Sequence, residues 1–270
     1  MSGPELITLD GVRLDAVVHH PGARPRRGTV IYAHGITADK DEFGTAVRVA
    51  DELASSGHAV LRFSFRGHGT SGGTQRGATI AGEMLDLEAA VTYAAEELPA
   101  PLSLVASSFG AVSTLLSLPW LDHRLHRLVL LRPVLDLHRT FVEPETPWGR
   151  QHYSPEQRKS AHEQGFVLVN GTFELGRVLF EELRHHDLAP PFQASTVPVL
   201  IVQGDQDTVV PYDAARQAAA TRPFCHLHTL TGADHGLDGH EDEAVQTVVD
   251  WLGGDPDWPH SPAVLGAMRW

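Results

Sequence analysis

The chain has 270 residues, 42% of them hydrophobic, and a formal net charge of −13 at pH 7, which is enough apolar material for one large domain or a domain with an insertion. The acidic balance excludes nucleic acid and anionic membrane surfaces as expected partners, because phosphate recognition needs clustered Lys and Arg. The single cysteine, Cys225, excludes an internal disulfide; with no basic-then-apolar leader and no apolar run of about 18 residues, a cytoplasmic protein is expected.

Residues 5–9 and 12–19 alternate apolar and polar positions around Asp10-Gly11, a hairpin signal. Residues 29–33 form the first buried strand. Apolar spacing at Phe43, Val47, Ala50, Leu53 and Ala54 predicts a helix over 42–56, stopped by Gly57. A strand at 59–65, a glycine-rich loop at 66–77, a helix at 79–98 and a strand at 102–106 follow. A helix begins at once over 109–118, and a strand over 127–131 comes next. From 133 to 192 the alternation breaks into prolines, aromatics and histidines, with polar helical pieces at 155–164 and 175–185; this reads as a cap inserted over a site. Strand 199–203, helix 212–221, strand 226–230 and helix 241–252 restore the pattern. Strands alternating with helices imply an α/β fold, a mostly parallel eight-stranded sheet with helices on both faces. The expected layout is a core of 1–132 and 193–252, a cap of 133–192 and a Pro/Trp-rich tail of 253–270.

Ser108 stands at the strand-to-helix corner in Ala106-Ser107-Ser108-Phe109-Gly110. A serine there is held on a tight turn with its hydroxyl projecting from the sheet edge. It needs a base and an orienting acid to act as a nucleophile. Both follow apolar runs further on: Asp207 after 199–203, and His235 after 226–230. Open α/β sheets place their chemistry outside the carboxyl ends of the strands, and the order Ser, Asp, His matches an α/β-hydrolase triad. Ser107, Asp205, Asp234 and His240 are the rival residues. The backbone N–H of Phe109 is the expected first oxyanion donor, and that of Ile36, in His34-Gly35-Ile36, the second. His34 is expected to bond loop backbone rather than substrate. Phe141, Trp148, Tyr153 and Phe166 are expected pocket walls. The adjacent histidine pairs at 19–20 and 185–186 do not suit a metal site, and no metal or cofactor is expected.

Five segments in order resemble motifs of the α/β-hydrolase superfamily: H-G-I at 34–36, F-R-G-H-G-T-S at 65–71, A-S-S-F-G at 106–110, G-D-Q-D-T-V-V-P at 204–211 and G-A-D-H at 232–235. Within it the chain is most similar to bacterial cinnamoyl and feruloyl esterases and their serine-aminopeptidase-like (S33-type) relatives. The resemblance implies an α/β-hydrolase fold and a short insertion after the sixth strand that covers the site. It also implies a Ser108-Asp207-His235 triad and an oxyanion hole at Ile36 and Phe109. The implied reaction is hydrolysis of a carboxylic ester through an acyl-enzyme. Ala106 departs from the glycine usual in G-x-S-x-G, a variation also similar to acyl thioesterases of the bacterial luminescence type. The expected partner is therefore a small-molecule acyl ester or thioester, and the alternative reading is an acyl thioesterase or acyltransferase of a biosynthetic pathway; a peptidase, or a non-catalytic ligand-binding protein on the same fold, is a remoter alternative. The sequence leaves a homodimer open.

Overall fold

A computed structural model describes residues 3–22 and 26–254. Two short strands, β1 (Leu6–Ile7) and β2 (Arg13–Leu14), pair with each other alone, and β3 (Ala16–His19) enters the main sheet. The main sheet continues with β4 (Gly28–Ala33), β5 (His58–Phe63), β6 (Leu102–Ser107), β7 (Leu125–Leu131), β10 (Val199–Gly204) and β11 (Cys225–Leu230). A separate hairpin, β8 (Phe166–Val169) and β9 (Phe173–Gly176), lies between β7 and β10 in sequence. The main sheet has seven strands in the order β11-β10-β7-β6-β4-β5-β3, rather than the eight expected. The eighth is the opening run, whose pairing with Arg13–Leu14 keeps it off the sheet. Only β3 is antiparallel to its neighbour; the other pairs are parallel. β4, β5 and β6 are buried along their whole length, as parallel strands covered on both faces must be.

Helices α1 (Thr45–Ser56) and α9 (Glu241–Gly253) cover one face. The stripe Ala46, Val49, Ala50 and Leu53 packs with Val245, Val248 and Trp251, the spacing of an amphipathic helix. On the other face lie α2 (Ile80–Glu97), α3 (Gly110–Leu121) and α8 (Tyr212–Ala220). Thr79 caps α2 through Gly82 N–H at 2.9 Å. The cap expected at 133–192 contains α4 (Pro147–His152), α5 (Pro155–Gln164), the β8–β9 hairpin and α6 (Arg177–Glu182), and α7 (Ala189–Ala194) straddles its end. From residue 255 on, the expected tail lies outside the described residues. Among the described residues no helix is long and apolar enough to cross a membrane.

Arg66 joins three parts of the fold. Its backbone N–H and Nε donate to Asp86 on α2 at 2.7 and 2.9 Å, and its Nη atoms donate to Asp10 in the β1–β2 turn at 2.7 and 3.0 Å. One turn before Asp86, Glu83 is buried and neither carboxylate oxygen has a hydrogen-bond partner among the described residues. Burial, then the charges of Asp86 and Glu182, push its pKa well above the usual value of 4.5. A carboxyl raised in the folded state keeps its proton where the unfolded chain has lost it, so folding stability falls as pH rises above about 4.5. Glu83→Gln is therefore expected to raise the melting temperature at pH 8 by several degrees, with about 2–4 °C for each kcal/mol recovered. Thermal melts at pH 8 and pH 4.5 check this: the gain shrinks at the lower pH, and an equal gain at both would contradict it.

Candidate active site

Strand β6 ends at Ser107 and helix α3 begins at Gly110, which leaves two residues for the turn. Ser108 takes φ of 50°, a left-handed conformation unusual for a residue with a Cβ. The turn is pinned to the end of β7 and the segment after it. Ser108 N–H donates to Leu131 O at 3.0 Å, and Ser108 O accepts from Val134 N–H at 3.0 Å. A Cβ on Gly110 would lie 2.6 Å from both Ala33 O and His34 O, so only glycine fits there. The corner thus turns the Ser108 hydroxyl out of the sheet edge, toward the loops after β10 and β11.

The loop after β10 carries Asp207, whose side chain is fully buried. Its Oδ1 accepts Val209 N–H and Val210 N–H, both at 2.9 Å. Its Oδ2 accepts from Gln203 Nε2 at 3.2 Å and lies 2.9 Å from His235 Nδ1. With these bonds the carboxylate has one orientation, and it fixes the imidazole as the Nδ1–H tautomer. His235 Nε2 then faces Ser108 Oγ at 3.1 Å as the acceptor. Such a chain can carry a proton from a hydroxyl to an imidazole that a buried anion stabilises.

The rival acids have other partners. Asp205 Oδ1 accepts Gly232 N–H at 2.7 Å, and Asp234 Oδ1 accepts Thr208 N–H and His235 N–H, each at 2.7 Å. Both lash the two loops together, which holds Asp207 and His235 in register. Ser107 is buried in β6, and His240 sits at the start of α9.

Opposite the imidazole lies the loop after β4. His34 Nδ1 donates to Gly35 O at 2.7 Å, and its Nε2 accepts Phe65 N–H at 2.9 Å, the structural part expected of it. Ala38 N–H also donates to Gly35 O, at 3.1 Å. A trans peptide points its N–H away from its carbonyl, so Ile36 N–H faces away from these contacts. Ile36 O is in turn held 2.6 Å from His68 Nε2. Phe109 N–H lies at the start of α3, where the helix dipole favours negative charge. Among the described residues, nothing accepts either N–H. Gly35 lets the loop pass close to the serine corner, since a Cβ there would come 3.0 Å from Ser108 Cβ, a tight contact.

Ser108, His235, Ile36 and Phe109 open onto one cavity of about 200 Å³. Its apolar walls include Val134, Phe141, Trp148, Val209 and Val210, and Phe43 stands at its edge, 85% exposed. Trp148 is held by Nε1 donating to Asn170 Oδ1 at 2.8 Å. Phe141 packs edge-on against Phe109 with ring centroids 5.9 Å apart. Thr146 Oγ1 donates to Val209 O at 2.9 Å and ties this wall to the Asp207 loop. Two of the four expected wall residues are elsewhere. Tyr153 is buried behind Phe141, 4.7 Å from it, and stacks on Phe180. Phe166 faces away because strand alternation turns Val167 and Val169 inward, and its ring carries the Arg76 guanidinium at 3.8 Å.

Three residues at this cavity lie outside the five motifs. Glu42 and Arg132 are buried charges on its floor, and Asn170 braces Trp148 from the β8–β9 turn. Asn170 had a readable signal, since Asn170-Gly171 between apolar runs is a strong type I′ hairpin pair. Glu42 and Arg132 had none.

Residues 24–161 match the family model of the serine aminopeptidases, S33, and residues 183–260 match that of TAP-like proteins. Among solved structures, the chain is similar to Est1E from Butyrivibrio proteoclasticus with ferulic acid bound. That likeness has a TM-score of 0.78 and 25% identity, over 91% of this chain and 96% of that one. It also shares its fold with the Pyrococcus furiosus esterase Pf2001, at a TM-score of 0.72 and 23% identity, over 93% of this chain and 90% of that one. An esterase from Exiguobacterium antarcticum has the same fold, at a TM-score of 0.68 and 17% identity, over 94% of this chain and 100% of that one. The sequence has no match among curated proteins.

Proposed function

Because the chain belongs to the serine aminopeptidase, S33, family of α/β-hydrolases, we propose that it is a serine hydrolase that cleaves a carboxylic ester through an acyl-enzyme. The observation that carries the reading is the relay of 3.1 Å from Ser108 Oγ to His235 Nε2 and 2.9 Å from His235 Nδ1 to Asp207 Oδ2, beside two uncommitted backbone N–H groups. His235 takes the Ser108 proton as Oγ attacks the acyl carbon, and the carbonyl electron pair moves onto oxygen. Ile36 N–H and Phe109 N–H receive that oxyanion. Collapse of the tetrahedral adduct breaks the bond to the alcohol oxygen, which leaves with the proton from His235. A water then gives its proton to His235, attacks the acyl carbon, and releases the acid and a restored Ser108. Asp207 holds the imidazole tautomer and balances the imidazolium throughout.

The acyl group lies between Phe141, Trp148 and Val134 in this reading. Flat aromatic walls and a cavity of about 200 Å³ favour a planar aryl or short acyl chain. Ferulic acid in the similar Est1E is a group of that kind. Steady-state kinetics on methyl ferulate and p-nitrophenyl esters beside the matching acyl-CoA thioesters tests the assignment. The ester is expected to have the higher kcat/KM. A preference for thioester of about 10²-fold, or ~2.7 kcal/mol in the transition state, would overturn ester hydrolysis in favour of thioester hydrolysis.

A further inference from the structure

Six non-glycine residues among those described have positive φ, and five of them line this one cavity: Glu42, Phe43, Ser108, Arg132 and Asn170. Left-handed backbone is disfavoured for residues with a Cβ and gathers where structure elsewhere imposes it. At Glu42, Phe43 and Gly44 it occurs three times in a row, with φ of 43°, 53° and 97°. The result is a reversal that turns the Glu42 carboxylate inward and the Phe43 ring outward. Glu42 is 2% exposed and Arg132 6%.

The Glu42 carboxylate is committed to the loop that carries Ile36. Oε1 accepts Gly35 N–H at 3.0 Å, and Oε2 accepts the hydroxyl of Tyr32, a fully buried phenol. Gly35 N–H is thereby turned away from the cavity, and the next N–H, that of Ile36, is left for it. This arrangement carries an electrostatic penalty. The Cβ position of Gly35 is 3.3 Å from Glu42 Oε1 and 3.4 Å from Ser108 Oγ, so the carboxylate and the nucleophile flank one point. A buried negative charge so close to a forming oxyanion opposes it.

Arg132 supplies the counter-charge. Its Nη2 is 3.6 Å from Glu42 Oε1, an ion pair without a hydrogen bond. Its Nη1 donates to His235 O at 2.6 Å, and its Nε reaches Ser107 Oγ at 3.4 Å. One guanidinium thus touches the oxyanion loop through Glu42, the serine corner through Ser107 and the histidine loop through its backbone. Its own backbone, at φ of 44°, is tied by N–H to Val202 O at 2.7 Å.

We propose that Glu42 and Arg132 are a positioning pair for the oxyanion hole, Glu42 orienting the Gly35–Ile36 segment and Arg132 cancelling the charge this places beside the reacting carbonyl. The inference rests on the acyl-enzyme reading above. It predicts antagonism between the two residues, which packing roles alone would not produce. A neutral glutamine at 42 still offers a carbonyl to Gly35 N–H, so it relieves the loss of Arg132.

The test compares Arg132→Met, Glu42→Gln and the double variant, using kcat and KM on one ester and affinity for phenylboronic acid, which becomes an anionic tetrahedral adduct on serine. Arg132→Met is expected to lower kcat about 10²-fold with KM changed less than threefold, and to weaken the boronate by a similar factor. Adding Glu42→Gln is expected to restore at least tenfold of both. Arg132→Met/Glu42→Gln no better than Arg132→Met, with both folded by circular dichroism, would overturn the pair. If Arg132→Met does not fold, Glu42→Gln alone decides: it leaves the guanidinium unbalanced and is expected to bind boronate at least threefold tighter, whereas unchanged or weaker binding is the contrary result. Covalent labelling of wild-type Ser108 by a fluorophosphonate separates the two levels. No labelling defeats the acyl-enzyme reading itself; labelling without rescue defeats only the pair.

Discussion

Ser108→Ala is expected to lower kcat/KM for ester hydrolysis by at least about 10⁴-fold while leaving the fold intact. On the acyl-enzyme reading, the variant loses the attacking oxygen. What remains is the hole and the cavity, which still position a substrate against water, so a residual rate about 10³-fold above the uncatalysed one is the expected floor. The methyl of alanine fits where the serine Cβ already sits, 3.0 Å from the Cβ position of Gly35. The left-handed backbone at residue 108 is held by Leu131 and Val134 rather than by the hydroxyl. Circular dichroism and a melting temperature within a few degrees of wild type would show that the loss is chemical. Activity within tenfold of wild type would remove Ser108 from the reaction.

Asp207→Asn is expected to lower kcat by about 10³–10⁴-fold, through the tautomer rather than through lost contact. Asp207 Oδ1 accepts two backbone N–H groups, from Val209 and Val210. Asparagine must therefore keep its carbonyl oxygen there and turn its amide N–H₂ toward His235 Nδ1. An imidazole that accepts at Nδ1 carries its proton on Nε2, facing Ser108 Oγ as a donor. The base then cannot take the serine proton. KM is expected to change little, because Asp207 is buried and does not line the cavity. Steady-state kinetics on one ester checks the split; a fall confined to KM would contradict it.

Ser108 and Asp207 were legible in the sequence because each follows a buried strand, and buried parallel strands are continuous apolar runs; His235 follows β11, a half-buried edge strand that alternates polar and apolar residues, and was legible from its place after the last strand. The corner at Ala106 to Gly110 was legible for a similar reason: a strand and a helix separated by two residues force a tight turn, and the residues beside it are small. The neighbouring supports were less so. Apolar spacing predicts a helix over 42–56, yet α1 starts at Thr45. Periodicity reports which side chains share a face and carries no information on backbone handedness, so it hid the left-handed reversal that turns Glu42 inward. Arg132 directly follows a strand and reads as its solvent end; its burial depends on the loops after β4 and β11 closing over it. Tyr153 and Phe166 were misplaced because aromatic content alone does not tell a wall from the layer behind it. In the β8–β9 hairpin the strand period of two decides the matter and leaves Phe166 outside. The opening strand was overcounted because a hairpin signal fixes local pairing and says nothing about whether the pair joins a larger sheet.

All of this depends on Ser108 being the atom that reacts. The most direct test is to treat the wild-type protein with a fluorophosphonate and locate the adduct by peptide mass spectrometry. Stoichiometric modification on Ser108, absent in Ser108→Ala and slowed about 10³-fold in Asp207→Asn, is the predicted result. No modification of the wild type, or modification that persists in Ser108→Ala, would contradict it.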